Sequence, residues 1–510
     1  MHFKKKVKGL LNITLIGTLF LLATVNVNAQ QQKPNIVYIL TDDLGYGDIA
    51  YLNKKSKITT PNIDKLASEG IYFSDAHSNS AVCTPTRYGI LTGRYAFRSP
   101  LKKGVLHGYS PALIEKERPT VATFLKDNGY ATACIGKWHL GLNWVKKDAA
   151  KPAGTSGSGV KVTAAYDDNI DYNLKIADGP LDHGFDYSYI IPASLDMSPY
   201  FYIRNNKAVS APTSYTKGLS ETDGRGTMRR AGKMSPGFDF QQVLPNFIND
   251  AVSYIDDQAK SEKPFFLYLA LPSPHTPWVP SEEFKNSKAG RYGNYVEETD
   301  FMVGKIFEAL KKNNMDKNTL VIFTSDNGSD WKPEDIESTG HHANYVFRGR
   351  KADVFEAGHR IPFIARWPGM IKKGSTSNQI MCTTDLFATV AKIIDKPLPA
   401  EFAEDSENML AAFKGFSKKP IRESIIHHSL SGYFSIRKGD WKLTTQLGSG
   451  GFTNPRILEP ANGEAPMTLY NMAKDISETK NLYFEKPEIV AELQKLLKKN
   501  LKNGYSRPNF

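Results

Sequence analysis

Four short apolar runs constrain this chain more than any other feature, because each stops abruptly at residues able to do chemistry. Residues 35–41 run into Asp42 and Asp43, and residues 130–135 lead to Lys137 and His139. Residues 265–270 lead to His275, and residues 319–324 to Asp326 and Asn327. Runs this short, rich in β-branched and aromatic residues, read as strands covered on both faces. Helical periodicity separates them, at 61–70, 120–128, 243–260 and 295–312. The alternation predicts an α/β fold, a large and mostly parallel sheet sandwiched by helices. In such sheets ligands collect beyond the carboxyl ends of the strands, so four polar strand ends predict one shared pocket. Past about Pro397 the pattern changes. Residues 431–443 alternate and turn like an antiparallel hairpin, and 487–501 form an amphipathic helix. A smaller C-terminal α+β subdomain with an antiparallel sheet is expected, dividing the chain into 30–395 and 396–510.

The first 29 residues stand outside this scheme. Lys4, Lys5, Lys6 and Lys8 precede an apolar run from Leu10 to Val25, and Val27-Asn28-Ala29 offers small residues for cleavage. That is the pattern of a secretory signal peptide rather than of a stable membrane anchor, and the expected location is periplasmic or extracellular. Cleavage after Ala29 removes four lysines and no acids, taking the formal net charge from +12 to +8. For an exported basic protein the expected polyanion is a glycan, not nucleic acid. Three cysteines in 510 residues make no disulfide framework. Cys134, in a strand run, and Cys382, before a helix at 386–394, read as buried thiols. Residues 146–180 lose periodicity and read as a surface loop or insertion, and the polar, basic stretch 217–233 as a second exposed loop.

Cys83 differs by its context. Thr84 is suited to cap a helix, Pro85 to its first turn and Gly93 to its end. Cys83 would then lie among free backbone N–H groups, which favour an anion, with Arg87 adding a charged fork. Asp42, Asp43, Asp326 and Asn327 offer hard oxygens, which suit Ca²⁺ and, less well, Mg²⁺, rather than zinc. Lys137, His139, His275, Lys351 and Arg87 offer donors and positive charge, a set that with a cation would stabilise a tetrahedral anion. Taken singly, each reads as a cap, a turn or an exposed side chain, and Asp326-Asn327-Gly328 is a good turn by itself. Their coincidence at four strand ends is what carries weight.

Cys83-Thr-Pro85-Thr-Arg87 followed by Leu91-Thr-Gly-Arg94 resembles the signature of the type I, formylglycine-dependent sulfatases of the alkaline phosphatase-like superfamily. Residues 35–48, 136–141, 274–277, 324–328 and 351–358 resemble the other motifs of that family, in its order. The resemblance implies that Cys83 is converted to formylglycine (3-oxoalanine) by a maturation enzyme. It further implies that one hydroxyl of the hydrated aldehyde attacks the sulfur of a sulfate ester. Asp42, Asp43, Asp326, Asn327 and the modified Cys83 would bind one Ca²⁺, with Arg87 and Lys137 holding the modified residue's oxygens. His275 and Lys351 would contact the sulfate, His275 as general acid. His139 would take the proton that regenerates the aldehyde. Thr86 stands where serine is commoner and Ala357 where the family has glycine; Asp196 is a further candidate for substrate contact.

The implied substrate is a sulfated polysaccharide or its oligosaccharides, an algal glycan or a glycosaminoglycan. Arg204, Arg229, Arg230 and Lys233 suit such a partner, with Trp138, Trp144, Trp278 and Tyr200 as candidate stacking platforms. Two alternatives stand beside it: a phosphodiesterase or phosphonate monoester hydrolase of the same superfamily, and a non-catalytic binder of sulfated glycan.

Overall fold

The computed structural model describes residues 33–154, 168–417 and 419–507. The leader expected at residues 1–29 and the centre of the 146–180 segment lie outside the described residues. A ten-stranded sheet organises the rest. Its middle is five parallel strands in the order Thr319–Ser325, Asn35–Thr41, Phe265–Ala270, Ala131–Lys137 and Tyr187–Ile191. The four apolar runs are therefore neighbours, and their polar ends emerge side by side. On one flank Phe363–Arg366 pairs antiparallel with Thr319–Ser325, then Ile71–Phe73 and Ser375–Ser377 follow. Phe363–Arg366 begins just after Pro362, which has no N–H to give a ladder. Ile203–Arg204 and Lys207–Ala208 complete the other flank.

Alternate residues of each central strand serve opposite layers, as the pleat requires. Ile36, Tyr38 and Leu40 face one apolar core and Val37 and Ile39 the other. The first layer holds the helices Cys83–Thr92, Val121–Asp127 and Leu386–Ile393. The second holds Pro61–Glu69, Val243–Gln258 and Gly290–Lys312. Gly136 permits the tightest approach: a Cβ there, at φ +118°, would fall 1.8 Å from the Ala270 carbonyl oxygen. It thus lets the strand reach Lys137 without splaying from its neighbour.

The C-terminal sheet is separate, with antiparallel strands Ile425–His428, Phe434–Lys438, Trp441–Thr444 and Thr468–Asn471 covered by the helix Pro487–Asn503. Its apolar core takes in Tyr95, Phe97 and Cys382 from earlier in the chain. A buried polar chain reinforces the join. Lys442 Nζ donates to His359 Nε2 at 3.1 Å, so His359 Nδ1–H donates to His77 Nδ1 at 3.0 Å, and His77 Nε2–H to Asp75 at 2.8 Å. Each imidazole is neutral in this arrangement. His428, also buried, is pushed down to about 4 by burial. The unfolded chain binds a proton between pH 6.5 and 4 that the folded one refuses, so stability is full above 6.5 and falls as pH drops toward 4. His428→Leu removes this contribution. In urea melts the parent should lose about 3 kcal/mol more than the variant over that window; equal slopes would refute the assignment.

Two loop expectations need correction. Around 146–180, Ile170 and Ile176 are buried, and Tyr172 packs edge-on against Trp144 and Phe201. Residues 217–233 are tied down, Leu219 bridging Arg229 and Ser214–Thr216 pairing with Gly232–Met234, so the segment forms a half-buried wall rather than an exposed loop.

Candidate active site

The helix carrying Cys83 starts two residues earlier than expected. Val82 is the N-cap and Cys83 the first helical residue, while the Thr84 hydroxyl accepts from Leu106 N at 3.2 Å instead of capping. Gly93 ends the helix in the left-handed conformation, as its position predicted. Cys83 is 3% exposed. Burial pushes its thiol up to about 11 against the pull of Lys137 and Lys351, so little thiolate exists at neutral pH.

The strand ends converge on this residue. Asp42 N donates to Ser273 O and Asp326 N to Thr41 O, continuing the ladder past the strands and locking the two carboxylates in register. Asp43 and His139, at φ 65° and 55°, and Ala352, at 77° beside Lys351, hold the left-handed backbone that residues other than glycine adopt infrequently. Gly328 fits beneath them because a Cβ would meet the Ala357 carbonyl oxygen at 1.8 Å. Ala357 itself is buried against Tyr46 and Phe347, so the chain accommodates its methyl group.

Charge is tightly paired. Arg87 donates through Nε and Nη2 to Asp326 Oδ2 at 3.1 and 2.8 Å and through Nη1 to the Lys137 carbonyl. Its fork therefore grips a carboxylate rather than opening onto the cavity. Lys137 Nζ donates to Asp42, and Lys351 Nζ to Asp43 at 2.8 Å. Burial alone would raise Asp42, but Lys137, His275 and Arg87 hold its carboxyl well below the usual range. Burial and the neighbouring Asp42 charge raise Asp326 in turn. A buried carboxylate pushed upward calls for a proton or a cation.

The residues fit a hard cation. Asp42 Oδ1 and Asn327 Oδ1 are buried oxygens without a hydrogen-bond partner. Asp42, Asp326 and Cys83 bring one ligand atom each within 4.8 Å of one another, as do Asp42, Asp43 and His275. Asn327 Nδ2 donates to Asp43 Oδ1 at 2.7 Å, which turns the amide oxygen away as an acceptor. Oxygen-rich sets of this kind suit Ca²⁺ or Mg²⁺.

The histidines are oriented by backbone carbonyls. His139 Nε2–H donates to Leu106 O at 2.8 Å, leaving buried Nδ1 as an unpartnered acceptor. Burial and Lys137 hold this ring neutral. His275 Nδ1–H donates to Thr276 O at 2.6 Å, and its Nε2 lies 3.7 Å from Asp43 Oδ2. A cavity of about 530 Å³ opens here, its lining including Asp43, Cys83, Asp196, His275 and Lys351. These five share the cavity, with Asp42 and Asp326 within 4.8 Å of Cys83, while Arg87, Lys137, His139 and Asn327 lie outside its lining.

The family model for sulfatases matches residues 34–396. The chain belongs to the sulfatase family. Sulfatases are sulfuric ester hydrolases, and so is this protein. It is 32% identical over 500 residues to a Bacteroides thetaiotaomicron N-acetylgalactosamine-6-O-sulfatase, covering 91% of this chain and 93% of that one. It is 30% identical to human arylsulfatase A, covering 93% and 89% respectively. A solved Bacteroides thetaiotaomicron structure, described for the metabolism of multiple glycosaminoglycans, superimposes with a TM-score of 0.78 at 31% identity, over 92% of this chain and 99% of that one. For this sulfatase, sequence reading missed the supports beneath the ring. Asp48 accepts from Tyr292 at 2.5 Å and from His341 at 2.7 Å, bracing the loop that carries Asp42 and Asp43. Asp48 stood in the quoted motif but without a partner to suggest its use. Of the proposed platforms, only Trp278 lines the cavity; Trp138, Trp144 and Tyr200 are core.

Proposed function

We propose that this sulfatase is exported and hydrolyses sulfate esters of glycans, with Cys83 oxidised to formylglycine and Ca²⁺ at the carboxylates. A 6-sulfated N-acetylgalactosamine is the first substrate to test, because the Bacteroides relative is named for it. The observation that carries the reading is a set of buried oxygens, with Asp42 and Asn327 each holding one unpartnered and Asp42 and Asp326 within 4.8 Å of a buried Cys83 whose thiol burial pushes up to about 11. A thiol in that state is a poor nucleophile, whereas its oxidised form needs no thiolate.

When present, the cation supplies positive charge to the ester oxygens and the oxidised residue supplies the attacking hydroxyl. The other residues bind, orient and move protons. Asp42, Asp43, Asp326 and Asn327 are the cation's ligands, with position 83. Arg87 and Lys137 fix the carboxylates and the oxygens at that position. Lys351 and His275 hold the sulfate group, and His275 gives a proton from Nε2 to the departing sugar oxygen, its Nδ1–H being committed to Thr276. His139 accepts a proton at Nδ1, the nitrogen its Leu106 bond leaves bare.

Sulfate release measured by ion chromatography from a panel of sulfated monosaccharides and disaccharides, with phosphodiesters alongside, tests the reading. Release from sulfated sugars with Ca²⁺ is expected. Phosphodiester turnover exceeding sulfate release would transfer the protein to the alternative chemistry.

A further inference from the structure

The cavity is larger than a sulfate group, and its wall carries cations beyond the catalytic candidates. Most are already spent. Arg225 places Nε and Nη2 on Asp335 and Nη1 on Glu221, with its plane 4.6 Å over Trp278. Lys332 also donates to Glu221.

Arg230 is different. Its backbone is fixed twice, N–H to the Asp196 carbonyl at 2.9 Å and carbonyl to Tyr200 OH at 2.6 Å. Its side chain is engaged through Nη1 alone, with the Asp196 carboxylate and carbonyl. Nε and Nη2 have no partner among the described residues, although the side chain is only 20% exposed. His107 lines the same cavity within electrostatic range of Arg230, and its buried Nδ1 has no partner. A guanidinium pinned at one nitrogen and bare at two others keeps a fork ready for a planar or tetrahedral anion, with little ordering cost left.

Resting on the glycan reading above, we propose that Arg230, flanked by His107, is a second anion-recognition point of this pocket. It reads a carboxylate or further sulfate ester near the ester that is cleaved. The simpler role, pinning Asp196 and through it His275, predicts an effect blind to the substrate's second charge, which separates the two.

The test is calorimetric titration of the Cys83→Ala protein, in which binding is read without turnover. Three disaccharides share one sulfate; the first is otherwise neutral, the second carries a uronate carboxylate, the third a second sulfate. At least one charged sugar should bind about tenfold or more tightly than the neutral one. Adding Arg230→Gln should abolish that preference, Arg230→Lys should keep part of it, and His107→Ala should reduce it. Which charged sugar shows the preference identifies the anion. Equal affinities for all three, or an Arg230→Gln loss that is equal across them, would overturn the inference while leaving the glycan reading intact. If the Cys83→Ala protein bound none of the three, the glycan reading itself would fall, and this inference with it.

Discussion

Cys83→Ala is expected to lower sulfate release by at least about 10⁴-fold while leaving the fold intact, because alanine removes the side chain proposed to attack. The site around it tolerates the change. Cys83 opens a helix whose remaining residues are all buried, and its thiol makes no hydrogen bond that alanine would orphan among the described contacts. Circular dichroism and melting should therefore match the parent. The complementary measurement is mass spectrometry of the peptide spanning Arg87 in active enzyme. Replacement of the thiol sulfur and hydrogens by an aldehyde oxygen lowers the mass, and an unmodified peptide in fully active protein would sink the formylglycine reading. A Cys83→Ala protein that still releases sulfate at the parental rate would sink the nucleophile assignment altogether.

Asp326→Asn is expected to cost about 10³-fold in kcat/KM and to erase the response to Ca²⁺. Asparagine keeps the volume and an oxygen that Arg87 can still donate to, but removes the charge that faces both Arg87 and the oxygen set, so a cation there would be held far more weakly. In the parent, a chelator should lower Tm and activity together and added Ca²⁺ should restore both, since anything bound only to the folded state stabilises it. In Asp326→Asn the melting temperature should no longer follow Ca²⁺. Full activity of the parent after exhaustive chelation would refute the cation's place in the site. Alanine is the poorer test, because an unpaired buried guanidinium costs roughly 3–5 kcal/mol and confounds stability with function.

Much of this was legible in the sequence, for identifiable reasons. Strands covered on both faces need unbroken apolar runs, so residues 35–41 and 265–270 announced themselves and their ends marked the pocket. Asp42, Asp43, Lys137, His139, His275, Asp326 and Asn327 were readable because each follows such a run, whereas Cys83, Arg87 and Lys351 rested on the motif resemblance. What stayed hidden depends on partners far away in sequence. Arg230 looked like part of an exposed basic loop until Asp196, 34 residues upstream, was seen to hold it. His107 stands in a stretch without periodicity, and the chain from Lys442 through His359 and His77 to Asp75 exists only once the small sheet is in place. Thr84 misled because cap chemistry favours threonine, whereas here the hydroxyl is taken up by the Leu106 amide.

The near-complete enclosure of Cys83, on a helix packed against Val121–Asp127 and Leu386–Ile393, fixes the timing of any enzymatic editing of that thiol. Cys83 lines the cavity but is 3% exposed, so a second protein has little of it to act on once the chain is folded. On the formylglycine reading the alteration belongs to the nascent or still-extended polypeptide, so stock refolded from unedited material should stay inert even when the editing catalyst is supplied afterwards.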